Sequence, residues 1–193
     1  MAIKRTQLES GTYFCTFTCI QWLPLIEITN LYNNIYQWFD LLGQAGHQVT
    51  GFVVMPNHLH LLLHVNASET TVNKILGNGK RFMAYEIVKR LTAANRLDLL
   101  TILSDSVSPE ERARKKKHRV FEPSSDIKLC FTEKFVVQKL EYIHANPISG
   151  KWNLAPSAVD YLHSSAAYYE LNVGHPFVKI IHYKELTGYE GGG

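Results

Sequence analysis

A chain of 193 residues, 46% hydrophobic and 19% charged, has globular proportions and is long enough to bury a core without disulfides or structural metal. No stretch approaches the roughly 18 consecutive apolar residues of a membrane span, so no membrane partner is expected. The net charge of +3 names no partner by itself, but Arg112 to Arg119 holds six Lys or Arg, leaving 14 basic against 17 acidic residues elsewhere. Charge concentrated in this way fits a polyanionic partner, or else a solvated loop.

Residues 1–10 lack the apolar run of a secretion signal, and the three cysteines, Cys15, Cys19 and Cys130, cannot all pair within one chain. They form no Cys-x-x-Cys pattern, and small apolar packing roles in a reducing cytoplasm are expected. One domain spanning 1–193 is predicted, with a core over about 12–170.

In chain order, residues 12–22 are dense in β-branched and aromatic types and read as a strand running to Pro24. From Glu27 to Leu42, Ile28, Leu31, Ile35, Trp38, Phe39 and Leu42 recur at helical spacing until Gly43 and Gly46. His47 to Met55 and His58 to Val65 read as two strands around a Pro56-Asn57 turn, an antiparallel hairpin. Strand, helix and hairpin make the first half of a ferredoxin-like layout, so the fold class expected is α+β, an antiparallel sheet with helices packed on it.

A long amphipathic helix follows from about Glu69 to Arg96, weakened near Gly77 and Gly79. Residues 98–119, with Asp105-Ser106, Ser108-Pro109 and the basic run, read as a mobile loop. Val120-Phe121 and Ile127 to Phe131 read as short strands. Thr132 is the expected N-cap of a further helix that ends before Pro147, with Val136, Leu140 and Ile143 as its buried stripe. Trp152 to Tyr169 is expected to pack over the sheet, and a flexible tail is expected over 185–193.

Two constellations carry chemistry. On the strand His58 to Val65, Leu59, Leu61, Leu63 and Val65 alternate with His58, His60, Leu62 and His64, so one face is core and the other is surface or site. His58 and His60 lie roughly 6.6 Å apart at Cα and can share a metal ion; His64 is too far to join them. The plain alternative is a pair of half-exposed histidines on an amphipathic strand. On the helix, Gln138, Tyr142 and Asn146 share a stripe, which puts Tyr142 and Asn146 about 6 Å apart along the axis, able to face one site. Here the alternative is a partly buried tyrosine beside a helix-ending asparagine. Nucleotide-loop and His-Glu-x-x-His patterns are absent.

Together, Val54-Met-Pro-Asn-His-Leu-His-Leu-Leu-Leu63 and Glu141-Tyr-Ile-His-Ala-Asn-Pro147 resemble the histidine strand and tyrosine helix of the HUH single-tyrosine transposases of the insertion sequence 200/605 type. Tyr161-Leu-His-Ser-Ser-Ala166 and His144 resemble the REP-associated branch in particular. The resemblance implies a metal-dependent enzyme that cleaves and rejoins single-stranded DNA, often hairpin-forming, through a 5′-phosphotyrosine link. It implies Tyr142 as nucleophile and His58, His60 and Asn146 as ligands of a divalent metal, Mg²⁺ or Mn²⁺. It leaves monomer and homodimer open. Under it, Lys80, Arg81, Arg112, Arg114, Lys115, Lys116, Lys117 and Arg119 are expected to track phosphates. The competing readings are a host-recruited, catalytically silent single-stranded nucleic-acid-binding module of the same fold, and a small metal hydrolase that uses water.

Overall fold

The computed structural model describes residues 10–66 and 70–186. Four strands, β1 (Gly11–Thr18), β2 (Gln48–Val54), β3 (His58–Val65) and β4 (Asp126–Cys130), form one sheet in the order β2-β3-β1-β4. Every pairing is antiparallel. The helices are α1 (Leu25–Ile28), α2 (Tyr32–Gln44), α3 (Val72–Ala93), α4 (Leu97–Asp105), α5 (Pro109–Ala113), α6 (Glu133–Ala145) and α7 (Ala166–Leu171). This is the expected α+β, ferredoxin-like arrangement with helices on the sheet. No helix among the described residues is long and apolar enough to cross a membrane.

Each sheet face carries its own core. Leu59, Leu61, Leu63 and Val65 join Cys15, Phe17 and the apolar sides of α2, α3 and α4. On the opposite face Phe14, Val53, Leu62 and Cys130 meet Val136, Leu140 and Ile143 of α6. All eight residues of β3 are therefore buried, whereas the alternating pattern suggested one open face. Position in the sheet explains the difference: β3 is interior and α6 lies over its polar side. The three cysteines are free and buried, as expected, and burial pushes the thiols of Cys19 and Cys130 up to about 12 and about 11.

The long helix expected over 27–42 is two helices. Thr29 donates its hydroxyl back to the Leu25 carbonyl and Asn30 takes a positive φ of 48°, which stops α1. Arg90 of α3 satisfies the carbonyls of Thr29 and Asn30 at 2.7 and 2.6 Å, so a distant residue holds the break.

The segment 98–119 is not a mobile loop. Leu99 and Leu103 bury one face of α4 against the core. Ser108, Pro109 and Glu111 form a capping box that opens α5. Arg119 donates through its backbone N–H to the Leu103 carbonyl at 2.8 Å, which ties the end of the basic run to α4. The expected tail from 185 is also corrected in part: Tyr183–Glu185 forms a capped 3-10 turn, and His182 and Glu185 cap it reciprocally. Residues 187–193, like Glu69 at the expected helix start, lie outside the described residues.

Gly79 does not break α3. A Cβ built there would lie 2.5 to 2.9 Å from the Trp38 indole, a rigid neighbour, so glycine is needed for α3 to approach α2. Gly79→Ala is expected to destabilise the chain by about 1–3 kcal/mol despite the better helix propensity of alanine, read as a lower urea midpoint with unchanged m-value.

Candidate active site

Thr16 and Thr18 of β1 pair directly with His60 and His58 of β3, and Thr16 also pairs with Asp126 of β4. The face that α6 covers therefore carries rows of polar groups at one end. The two imidazole centroids are 4.7 Å apart at 78°. Tyr142, half exposed on α6, brings its ring to 5.1 Å from that of His60 and 6.0 Å from that of Phe14. These groups line an open cleft of about 400 Å³ with Trp22, Lys128, Lys139, Asn146 and Trp152.

Both histidines are oriented by neighbours. Asn57 donates its amide N–H to the Trp22 carbonyl at 2.9 Å, so its Oδ1 is the atom that accepts from His58 Nδ1 at 2.7 Å. His58 is then the Nδ1–H tautomer, with a lone pair on Nε2. His60 Nδ1 is hydrogen-bonded to the Thr16 hydroxyl at 2.7 Å. Burial pushes His58 down to about 4; burial, then His58 and Lys139, push His60 down to about 3. Two neutral imidazoles follow, the form that binds metal.

Asn146 donates its Nδ2–H to the Tyr142 carbonyl at 3.0 Å, which leaves Oδ1 as the atom it can offer to the cleft, where it also meets the His58 ring. Two imidazole nitrogens and one amide oxygen suit a divalent cation such as Mn²⁺, and held ring nitrogens are what such sites use. Among the described residues no three His, Cys, Asp or Glu gather as a metal cluster. His64 takes no part: it bonds Thr12 at 3.0 Å, two rows along the sheet.

The basic residues singled out in the sequence are not among those lining the cleft. Lys80 donates to the Glu122 carbonyl at 2.7 Å and to Ser125 at 3.2 Å, bracing the approach to β4. Arg81 reaches Asn78 of its own helix, and Arg112 reaches the Ser104 carbonyl. Lys116 and Arg119 both pair with Glu111. Arg114, Lys115 and Lys117 are exposed and have no ion pair among the described residues.

Lys139 is the cation that reading the sequence missed. Its Nζ lies 4.7 Å from the Phe14 ring centroid and 5.8 Å from that of Tyr142. The signal was present: Lys139, Tyr142 and Asn146 follow i, i+3, i+7, whereas Gln138 points to solvent. Lys128, the other cleft lysine, is paired with Asp126 at 3.1 Å.

What fixes α6 over the sheet is also visible. Thr132 caps the helix as expected, accepting from the Phe135 N–H. Gly51 of β2 lets it sit close, since a Cβ there would lie 2.5 Å from Leu140 Cδ2. Buried His144 is hydrogen-bonded through Nε2 to Ser165 Oγ at 2.8 Å, and Ser165 Oγ accepts from the Phe52 N–H at 3.0 Å. The Tyr161 hydroxyl donates to the Val54 carbonyl at 2.8 Å. The Tyr-Leu-His-Ser-Ser segment thus closes the outer edge of β2 and locks the tyrosine helix to it.

A REP-associated tyrosine transposase bound to a REP hairpin aligns over 99% of this chain and 98% of its own, with a TM-score of 0.55 and 15% sequence identity. The chain has the fold of that transposase. A candidate transposase from Deinococcus radiodurans R1 aligns over 74% of this chain and 95% of its own at 19% identity, with a TM-score of 0.42, too low to indicate a shared fold. No protein-family model and no curated protein sequence matches. The resemblance carried by two short motifs is therefore met by likeness of fold along the whole chain.

Burial also pushes His144 down to about 4, so it is neutral in the folded state and titrates near its ordinary value of 6.5 when unfolded. Below pH 6.5 the unfolded chain binds more protons, so this contribution is intact above that pH and is lost as pH falls toward 4. At pH 5 the loss from His144 alone is about 2 kcal/mol. Urea denaturation at pH 7.5 and pH 5 is expected to show a large drop in wild type and a smaller one in His144→Gln.

Proposed function

We propose that this cleft cleaves and rejoins single-stranded DNA, with Tyr142 as nucleophile and His58, His60 and Asn146 as the ligands of Mg²⁺ or Mn²⁺. The observation that carries the reading is the Tyr142 ring meeting the His60 ring edge to face at 5.1 Å, brought together from segments more than eighty residues apart. A bound divalent ion supplies neutralisation of charge on the nonbridging phosphate oxygens. The remaining work falls to side chains of this chain.

Tyr142 attacks phosphorus through its phenolic oxygen. A bond from that oxygen to phosphorus forms, the bond to the 3′-oxygen breaks, and the strand is left with a 3′-hydroxyl and a 5′-phosphotyrosine. The phenol gives up one proton and the 3′-oxygen gains one, so the exchange is balanced and needs no energy source. A 3′-hydroxyl attacking the same phosphorus reverses the step and joins strands. Lys139, whose Nζ lies 5.8 Å from the Tyr142 ring centroid in the same cleft, would offset negative charge developing on the phenol oxygen and the phosphate. Tyr142 is exposed enough for a strand to reach it, while His58 and His60 are held from behind.

The phosphate-tracking role extends to Arg114, Lys115 and Lys117, which have no ion pair among the described residues, more than to Lys80, Lys116 or Arg119, which already brace the fold.

Incubation with labelled single-stranded hairpin DNA and Mn²⁺ is expected to yield an adduct that survives denaturation in wild type and disappears in Tyr142→Phe. Cleavage that persists in Tyr142→Phe would assign the chemistry to water, and tight binding with no adduct in wild type would leave only a binding module. For the outer contacts, replacing Arg114, Lys115 and Lys117 with alanine is expected to flatten the slope of log affinity against log salt by about 2; an unchanged slope removes them from the interface.

A further inference from the structure

The turn between β1 and α1 holds two consecutive non-glycine residues at positive φ, Gln21 at 51° and Trp22 at 57°. Such backbone is costly and persists only where its surroundings enforce it. Here they do. Ile20 donates to the Val120 carbonyl at 2.8 Å, the Gln21 N–H to Glu122 Oε1 at 3.1 Å, and the Trp22 N–H to the Cys19 carbonyl at 3.1 Å. The Trp22 carbonyl accepts from the same Asn57 amide that orients His58.

The side chain delivered by this turn is not a core residue. Trp22 is 61% exposed, the indole stands at the lip of the cleft, and its ring lies 5.9 Å from that of His58. Across the cleft, the chain leaving α6 doubles back at Gly150, whose φ is 63°, and sets Trp152 with its ring 6.1 Å from the same histidine. Lys151 lies over the Trp152 indole at 5.3 Å. His58 is thus flanked by two indoles, and Lys139 lines the same cleft.

The geometry points to Trp22 and Trp152 as stacking platforms for bases that flank a phosphate seated at His58 and His60. The proposal rests on the cleft being a nucleic-acid site and adds which side chains hold the bases. Aromatic faces accept any base, so the pair provides grip on an unpaired strand without reading its sequence. Bases within a duplex are stacked on each other and cannot meet an indole face, so the same pair selects single-stranded over double-stranded substrate. Trp22 is coupled to the histidine pair through Asn57, so a base on Trp22 also bears on the orientation of His58.

The chain has three tryptophans, and the third, Trp38, is 4% exposed in the core, which makes indole fluorescence a direct readout. Full-length protein is titrated with oligo-dT of twelve nucleotides and with an abasic strand of equal phosphate number. Oligo-dT is expected to quench and to bind about tenfold tighter than the abasic strand. Trp22→Ala is expected to lose about tenfold in affinity for oligo-dT and most of that advantage, with Trp22→Phe restoring much of it. Equal affinity for the two strands in wild type, or unchanged oligo-dT affinity and quenching in Trp22→Ala, overturns the proposal. Because equilibrium binding is read, the result does not depend on Tyr142 chemistry. A protein that stacks bases but forms no adduct would keep this inference and lose the nucleophile, whereas a protein that binds neither strand would lose both.

Discussion

Two imidazoles can be buried side by side only if neither is charged and neither leaves a polar atom unsatisfied. His58 and His60 meet that condition through Asn57 and Thr16, each taking up one Nδ1 from the sheet's own backbone neighbourhood. The remaining nitrogens belong to the side where α6 passes. A charged pair at 4.7 Å would repel and would have to be desolvated as well, so the neutral state is a property of the fold and not of a bound ion. The neutral, oriented pair is therefore built into the sheet itself.

That order reaches the tyrosine through α6. The helix is held at three points of different character: the Thr132 cap at its start, the close approach of Leu140 to Gly51 in its middle, and the His144 to Ser165 bond near its end. Ser165 in turn is bonded to Phe52 of the edge strand, so the helix, the sheet and the C-terminal segment are one connected structure at this point. Tyr142 and Asn146 project from the flank of a helix whose buried stripe is fixed. Their direction is set chiefly by the packing of that stripe, with Tyr142 adding edge contacts to Phe14 and His60.

The outer parts of the molecule behave differently. The basic run is partly spent on internal order, since Glu111 draws in both Lys116 and Arg119. At the cleft mouth, the strained turn around Trp22 is clamped by hydrogen bonds from two separate segments, 120–122 and the Asn57 turn. Under the proposed function, charge at a distance and rigid aromatic surface nearby would divide the work of holding a flexible anionic strand, while the histidine face would hold a single phosphate. The likeness to a REP-associated tyrosine transposase is one of fold and does not prescribe which side chains would perform these roles.

Local pattern made much of this legible. Period-two alternation placed β3 and its histidines, the Pro56-Asn57 turn placed the hairpin, and Thr132, Val136, Leu140 and Ile143 defined α6, because strand and helix geometry act on neighbours in the chain. Even the two helices in 98–119 had local signals, the apolar spacing of Leu99 and Leu103 and the Ser108 capping box, that the nearby charge obscured. Other features were decided only in three dimensions. The break at Asn30 depends on Arg90, the tolerance of Gly79 on Trp38, and the burial of the histidine face on α6 crossing an interior strand. The reach of Lys139 and the flanking of His58 by Trp22 and Trp152 are of the same kind. The sequence by itself determined which residues share a face; which faces meet was left to tertiary packing, because contacts between distant segments leave no period in the chain.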